Sequence, residues 1–141
     1  MVLASQGKTE EAIAHLIQAL QINPNNADAH YSLASLLLRQ GKDQEAMVHY
    51  IETFRINPDD AEAHYQLAEI LSRQGKNEEA ILHLTEAVRI TPNYGEAHLA
   101  LGRIYLSMGK KELALAEYHI LKKINSNLAN TLYQNISKPS H

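Results

Sequence analysis

Residues 27–60 read ADAHYSLASLLLRQGKDQEAMVHYIETFRINPDD, and residues 61–94 read AEAHYQLAEILSRQGKNEEAILHLTEAVRITPNY. Laid on each other they agree at 18 of 34 positions, including Ala-x-Ala-His-Tyr and Arg-Gln-Gly-Lys. The same step extends outward. Glycine stands at 7, 41, 75 and 109, alanine at 12, 46, 80 and 114, and proline at 24, 58 and 92. A fixed period over most of a chain marks an array of one supersecondary unit, in which each copy needs its neighbours to bury its apolar face.

Each unit reads as two helices. In 27–60, Ala29, Leu33, Ala34, Leu36 and Leu37 recur at helical spacing and form one apolar face. Asn26 and Asp60 precede the first helices, where a side-chain oxygen accepts from free backbone N–H groups. Gly41 follows the periodic run, the usual place for a left-handed stop. A second helix starts near Asp43 and carries Ala46, Met47, Tyr50, Phe54 and Ile56. Asn57-Pro58 ends it, because the residue before proline avoids helical angles and proline lacks the N–H. The pattern predicts helices over 9–22, 27–40, 43–56, 61–74, 77–90, 95–108 and 111–124, with a last one near 128–137. Ala34, Ala68 and Gly102, with Ala46, Ala80 and Ala114, are expected to let the two helices of a unit approach closely. Leu33, Leu67 and Leu101 are expected to fill the layer between units.

These residues resemble the tetratricopeptide repeat, a helix–turn–helix unit of the same length. Repeat 95–128 carries the pattern as His98, Leu101-Gly102, Tyr105, Ala114 and Tyr118, with Ser126 in place of the proline. Repeat 27–60 carries it as His30, Leu33-Ala34, Leu37, Ala46, Tyr50 and Pro58, and repeat 61–94 as His64, Leu67-Ala68, Leu71, Ala80, Leu84 and Pro92. The departure is histidine at the opening position, where the family more often has tryptophan or another bulky apolar residue. The resemblance spans roughly residues 1–128 and implies an all-α fold, a right-handed α-solenoid of stacked units. The expected organisation is one array over 1–137, followed by a frayed tail at 138–141. It comprises a partial repeat (1–26), full repeats 27–60, 61–94 and 95–128, and a capping helix at about 128–137 with Leu128, Leu132 and Ile136 on one face.

The array begins in mid-unit. Residues 1–6 read as the tail of a first helix, with Leu3 in the column of Leu37, Leu71 and Tyr105. This points to a piece of a longer protein. The alternative is a short protein whose open end self-associates through Leu3, Ile13 and Leu16, an apolar patch of the kind that mediates association.

Composition excludes several classes of chemistry. Of 141 residues, 45% are apolar and 21% charged, the balance of a soluble folded domain. A net charge of −3 leaves no basic face for nucleic acid. The absence of cysteine removes disulfides, thiolate metal sites and thiol nucleophiles. No apolar run approaches the ~20 residues of a membrane span, so no membrane insertion is expected, and the cytoplasm or another soluble compartment is the expected location.

Eight histidines invite a metal or catalytic reading. His30, His64 and His98 form one column, and His15, His49 and His83 another. Neighbours within a column are one repeat apart, and stacked helices sit ~8–10 Å axis to axis. An ion bound at ~2 Å from each nitrogen needs ligands much closer together. The first column is therefore expected to pack, ring body inward and a nitrogen at the edge. The second is expected to pair on the helix surface with Glu11, Glu45 and Glu79, each four residues upstream. No serine sits in a Gly-x-Ser-x-Gly turn, and the glycines are single, so no phosphate-binding loop is formed. The chain is expected to be no enzyme and to take no cofactor and no metal.

The resemblance implies a protein–protein interaction scaffold whose concave groove, lined mainly by the first helix of each unit, receives a peptide or a partner helix. Outward positions of those helices are Asp28, Tyr31, Ser32, Ser35 and Arg39, then Glu62, Tyr65, Gln66, Glu69 and Arg73, then Glu96, Leu99, Ala100 and Arg103. Tyr31, Tyr65 and Tyr133 form an aromatic stripe interrupted by Leu99, and tyrosine is favoured at interfaces for its rigid area and polar tip. Asp28, Glu62 and Glu96 define an acidic edge and Arg39, Arg73 and Arg103 the other, which suits a protein or peptide with basic and apolar residues. The family's carboxylate clamp needs cations, where this chain has Tyr31, Ser35, Gln66, Glu96 and Ala100. Its asparagine ladder needs Asn, where Ser32, Gln66, Ala100 and Gln134 stand. Two alternatives follow from the resemblance, an accessory module of a larger enzyme such as a glycosyltransferase and a self-associating structural subunit.

Overall fold

The computed structural model describes residues 2–138, with side chains from Gln6 to Lys138. Among the described residues there are eight helices and no strand: α1 (Val2–Ile22), α2 (Ala27–Arg39), α3 (Asp43–Ile56), α4 (Ala61–Arg73), α5 (Asn77–Ile90), α6 (Gly95–Ser107), α7 (Lys111–Ile124) and α8 (Ser126–Ser137). Their starts follow from local side-chain chemistry. Asn26 Oδ1 accepts from the Ala29 N–H at 3.1 Å, Asp60 Oδ1 from that of Ala63 at 3.0 Å, and Asn125 Oδ1 from that of Leu128 at 3.2 Å. Their stops follow from glycine. Gly41, Gly75 and Gly109 adopt φ of +76°, +79° and +76°, left-handed values that cost other residues energy. At the first of these, the Gly41 N–H reaches the Leu38 carbonyl at 3.0 Å and the Lys42 N–H the Leu37 carbonyl at 2.9 Å. This double closure satisfies carbonyls that a helix end otherwise leaves open. Gly75-Lys76 and Gly109-Lys110 repeat it on their own preceding helices.

Gly7 departs from its column. The spacing predicts a helix starting at residue 9, yet α1 runs through Gly7 without a positive φ. A left-handed turn is favourable where the preceding helix folds back and buries a face. Residues 2–6 amount to little more than one turn, too short to persist as a separate helix. Continuing the ladder satisfies their backbone groups instead. The side chain of Leu3 lies outside the described residues.

The chain divides into two compact units, residues 1–63 and 64–141. In the first, α2 packs on both α1 and α3. Ala34 and Ala46 are fully buried, and Leu33, Leu37, Tyr50, Thr53 and Ile13 complete this core. The two polar members are satisfied internally. The Thr53 hydroxyl donates to the His49 carbonyl at 2.8 Å, and the Tyr50 hydroxyl lies 3.1 Å from Ser35 Oγ.

In the second unit α6 packs on α5, α7 and α8, with Ala68, Ala80 and Ala114 fully buried. Leu99, Ala114, Leu121, Ala129, Leu132 and Ile136 form one buried cluster beneath α8. That helix starts two residues earlier than the spacing predicts, because Asn125 caps it. It lies close on α6. A Cβ added at Gly102 would sit 2.5 Å from Leu132 Cδ2, and one at Gly95 would sit 2.8 Å from Leu128 Cδ1. Glycine at 102, where the other repeats have Ala34 and Ala68, is what lets α8 seat. The tail expected to fray lies outside the described residues beyond Lys138.

Gly102→Ala is therefore expected to be destabilising on balance. Overpacking costs about 1–3 kcal/mol, and the helix preference for alanine over glycine returns at most about 1 kcal/mol. Urea melts of Gly102→Ala, Leu132→Ala and the double variant check the contact. The double variant should be less destabilised than the sum of the singles, by a coupling of about 0.5–3 kcal/mol. Simple additivity would mean that the two positions do not touch.

Candidate functional site

The outward positions of the first helices fall into two sets, one in each unit. In the first unit Asp28, Ser32 and Arg39 are exposed, while Tyr31 and Ser35 are half-buried. The Tyr31 hydroxyl donates to Glu62 Oε2 at 3.0 Å, and its ring stands edge-on to Tyr50 at 5.6 Å and 71°. Burial first, then the adjoining Glu62 carboxylate, hold the Tyr31 phenol well above the ordinary tyrosine range, so it stays a donor at any physiological pH. Tyr31, Ser35 and Glu62 thus belong to one tied arrangement in which Tyr31 is half-buried.

In the second unit Tyr65, Gln66 and Glu69 are half-buried, and Arg73, Glu96 and Arg103 are exposed. The Tyr65 ring leans on Tyr94 at 5.2 Å. Burial, then Glu69 and Glu96, push its phenol up to about 12. Burial also raises the Glu69 carboxyl, against the opposing pull of Arg73 and Arg103. Arg103 Nε donates to Asn135 Oδ1 at 3.1 Å, which ties α6 to α8. Leu99 and Ala100, expected to face outward, are each only 8% exposed. Leu99 belongs to the cluster beneath α8, so it packs inside the unit instead of facing outward. Tyr133 is 51% exposed, with its ring 5.4 Å from Tyr118.

The histidine columns are arranged differently from the surface pairs that the spacing suggests. His30, His64 and His98 are buried, as expected, but each meets the residue nineteen positions later in its own repeat. His30 Nε2 donates to the Pro24 carbonyl at 2.8 Å, and His30 Nδ1 lies 3.0 Å from His49 Nδ1. Because a carbonyl only accepts, the His30 proton sits on Nε2, and His49 must donate from Nδ1. The ring centroids are 5.2 Å apart, longer than the Nδ1···Nδ1 distance by about two ring radii, so the rings meet edge to edge. Their lone-pair directions oppose rather than converge, as an N–H···N bond requires and a shared metal ion does not. No three His, Asp or Glu side chains among the described residues are grouped to hold a metal. His64 and His83 repeat the pair at 3.1 Å.

The third repeat breaks the pattern, because Glu117 stands where the others have His49 and His83. His98 Nε2 donates to the Pro92 carbonyl at 2.8 Å and Nδ1 to Glu117 Oε1 at 2.7 Å. Two acceptors require two protons, so this ring is an imidazolium. The pKa directions agree. Burial, then the facing imidazole, lower His49 and His83 below 6.5, whereas the hydrogen bond to Glu117 raises His98. Glu45 and Glu79, the expected helix-surface partners, raise His49 and His83 as nearby charges, but less than burial and the facing imidazole lower them. His49 and His83 take up protons more readily when unfolded. The stability they contribute is present above pH 6.5 and is lost as pH falls through their lowered folded values. The His98 contribution is complete below pH 6.5 and is lost as pH rises through its raised value. In an NMR titration of the ring signals, His98 should titrate above 6.5 and both His49 and His83 below it, with Glu117→Gln drawing His98 down. A His98 that titrates with or below the other two contradicts this proton arrangement.

The face expected to be left open near the N-terminus also differs. Ile13 is buried and Leu16 half-buried, so they offer little apolar surface for self-association. The exposed aliphatic residues of α1 are Ile17, at 44%, and Ile22, at 86%. Among the described residues no helix is long and apolar enough to cross a membrane.

Three overlapping stretches of the chain, residues 2–41, 34–75 and 69–109, match the TPR repeat model. Crystal structures share the fold. MamA superposes with a TM-score of 0.82 at 22% identity, over 94% of this chain and 81% of MamA. A tetratricopeptide repeat protein from Parabacteroides merdae gives 0.85 at 20% identity, over 94% of this chain and 54% of that one. YrrB, a TPR protein with an unusual peptide-binding site, gives 0.77 at 21% identity, over 95% and 72%. Among curated proteins none matches the sequence. Identities this low carry the fold and not the ligand. The matched stretches reach from residue 2 to residue 109, well over half of 141, and this chain belongs to the tetratricopeptide repeat family.

Proposed function

We propose that this chain is a non-enzymatic protein-interaction module whose first-helix faces bind a peptide or partner helix carrying apolar and basic residues. The observation that carries this reading is the setting of Tyr65, a half-buried ring on α4 held against Tyr94 with Glu69, Glu96 and Arg103 in its electrostatic surroundings. A tyrosine fixed on one side and open on the other presents area with little entropy left to lose on binding. Tyr31 offers the same arrangement in the first unit, fixed by Glu62 and Tyr50, with Asp28 and Arg39 exposed on the same helix. Leu99 and Ala100 have no part in it, because they are buried. Two facts support a peptide ligand. The family is one of interaction repeats, and YrrB, similar in fold, has a peptide-binding site. The acidic residues favour a partner with lysine or arginine, and binding should weaken with salt as those exposed charges are screened.

The experiment is selection of dodecapeptides from a displayed random library, followed by fluorescence anisotropy with the variants. Tyr65→Ala should cost about 2 kcal/mol, near thirtyfold in Kd, if it is a central anchor, and Tyr31→Ala somewhat less. Raising salt should weaken binding further. A selected set whose affinity survives both substitutions places recognition elsewhere and refutes the reading.

A further inference from the structure

The first unit contains a slot that the first-helix faces do not explain. It has a volume of about 550 Å³, within the range of ligand pockets, and runs between α1 and α3 with α2 as its floor. Its walls are unlike. On α1 the lining residues Ile13, Ile17 and Leu20 form an aliphatic strip at helical spacing, and Ile17 is 44% exposed. On α3 the strip is Glu45, His49 and Glu52, also at helical spacing. Leu33 and Leu37 lie beneath. From Glu10 to Gln21 the α1 wall is twelve residues long, ~16 Å at a rise of ~1.5 Å per step, which an extended chain of about five residues spans.

Acidic side chains outnumber basic ones along the slot. His49 spends its only N–H on His30, which leaves Nε2 as a bare acceptor. Gln40 Nε2 donates to Glu10 Oε1 at 2.8 Å, and this fixes the amide so that Gln40 Oε1, itself buried, accepts no hydrogen bond. A buried unpaired acceptor is costly and is relieved by any N–H that reaches it. Three carboxylates, Glu10, Glu45 and Glu52, line the slot against two cations, Lys42 and Arg55. Arg55 is already held by Glu52 at 2.8 Å and by Asn25 at 3.3 Å.

We propose that this slot is a second binding site, for an extended segment of a partner protein that alternates aliphatic residues with lysine or arginine. Successive side chains of an extended chain point to opposite sides. One row therefore lies on Ile17 and Leu20, above the buried Ile13, and the other meets Glu45 and the His49 acceptor. Within the first unit, the α2 residues beneath the slot, Leu33 and Leu37, lie on the opposite side of that helix from Tyr31.

The test uses two fluorescein-labelled hexapeptides, (Leu-Lys)3 and (Leu-Glu)3, titrated by anisotropy against the full chain. The basic peptide should bind, and the acidic one should be at least about tenfold weaker. In a Tyr31→Ala/Tyr65→Ala background, which removes the proposed first-helix anchors, Ile17→Asp and Glu45→Lys, both at exposed positions, should each weaken the basic peptide by about tenfold without lowering the melting temperature. Absence of binding overturns the proposal, as does equal binding of the two peptides or indifference to Ile17→Asp. Binding that disappears altogether in the Tyr31→Ala/Tyr65→Ala background assigns the peptide to the first-helix face and also overturns it.

Discussion

Close approach of paired helices at buried alanines is the constraint on which the rest of the structure depends. Ala34 and Ala46 in the first unit, and Ala68, Ala80 and Ala114 in the second, are fully excluded from solvent. A methyl side chain lets backbones come near, and dense packing there leaves no freedom to slide or rotate. Once two helices are fixed in this way, the leucines on one side fill the core, and the residues on the opposite side are displayed. The half-buried tyrosines and the outward acids and arginines of α2, α4 and α6 are thus by-products of helix registration, held by a rigid support rather than by loops.

The histidines show what a repeated scaffold does with one substitution. Each repeat holds a first-helix imidazole against a proline carbonyl or a side chain nineteen residues on, and the identity of that side chain decides the charge. Opposite another imidazole, one proton lies between the two ring nitrogens, and burial with the facing ring lowers the pKa of His49 and His83. Opposite Glu117 the ring is a cation paired with a carboxylate. The same backbone therefore responds to acid with opposite signs in neighbouring repeats. A buried charged pair of this kind is weakly stabilising at best, but removing one partner strands the other and is costly.

Much of the fold was legible because it rests on short-range rules. The 34-residue step, the caps at Asn26 and Asp60 and the left-handed glycines at 41, 75 and 109 are local features, and each formed as its residue type dictates. Gly7 shows the limit. Glycine permits a left-handed turn, but a turn forms only when a helix of sufficient length folds back, which residues 2–6 do not supply. The site was legible only in part, because long-range packing decides it. Leu99 and Ala100 sit at outward positions by periodicity, yet the early start of α8 at Asn125 brings a helix down over α6. The histidine pairs were missed because each column was compared with itself at 34-residue steps. The informative separation was nineteen, and the exchange of His for Glu at position 117 was the one sign in the sequence. The slot in the first unit left no such sign, since Gln40 and His49 acquire their unmet acceptors only through three-dimensional neighbours.

Alanine-paired helices presenting first-helix tyrosines as a binding face is the central claim, and tyrosine-ring NMR tests it most directly. With 13C-labelled tyrosine, a library-selected peptide would be added and the ring signals of all seven tyrosines followed. The account predicts that the Tyr31 and Tyr65 rings shift and broaden while Tyr50, buried in the first unit, stays in place. Movement confined to Tyr105 and Tyr118, with Tyr31 and Tyr65 silent, would contradict it.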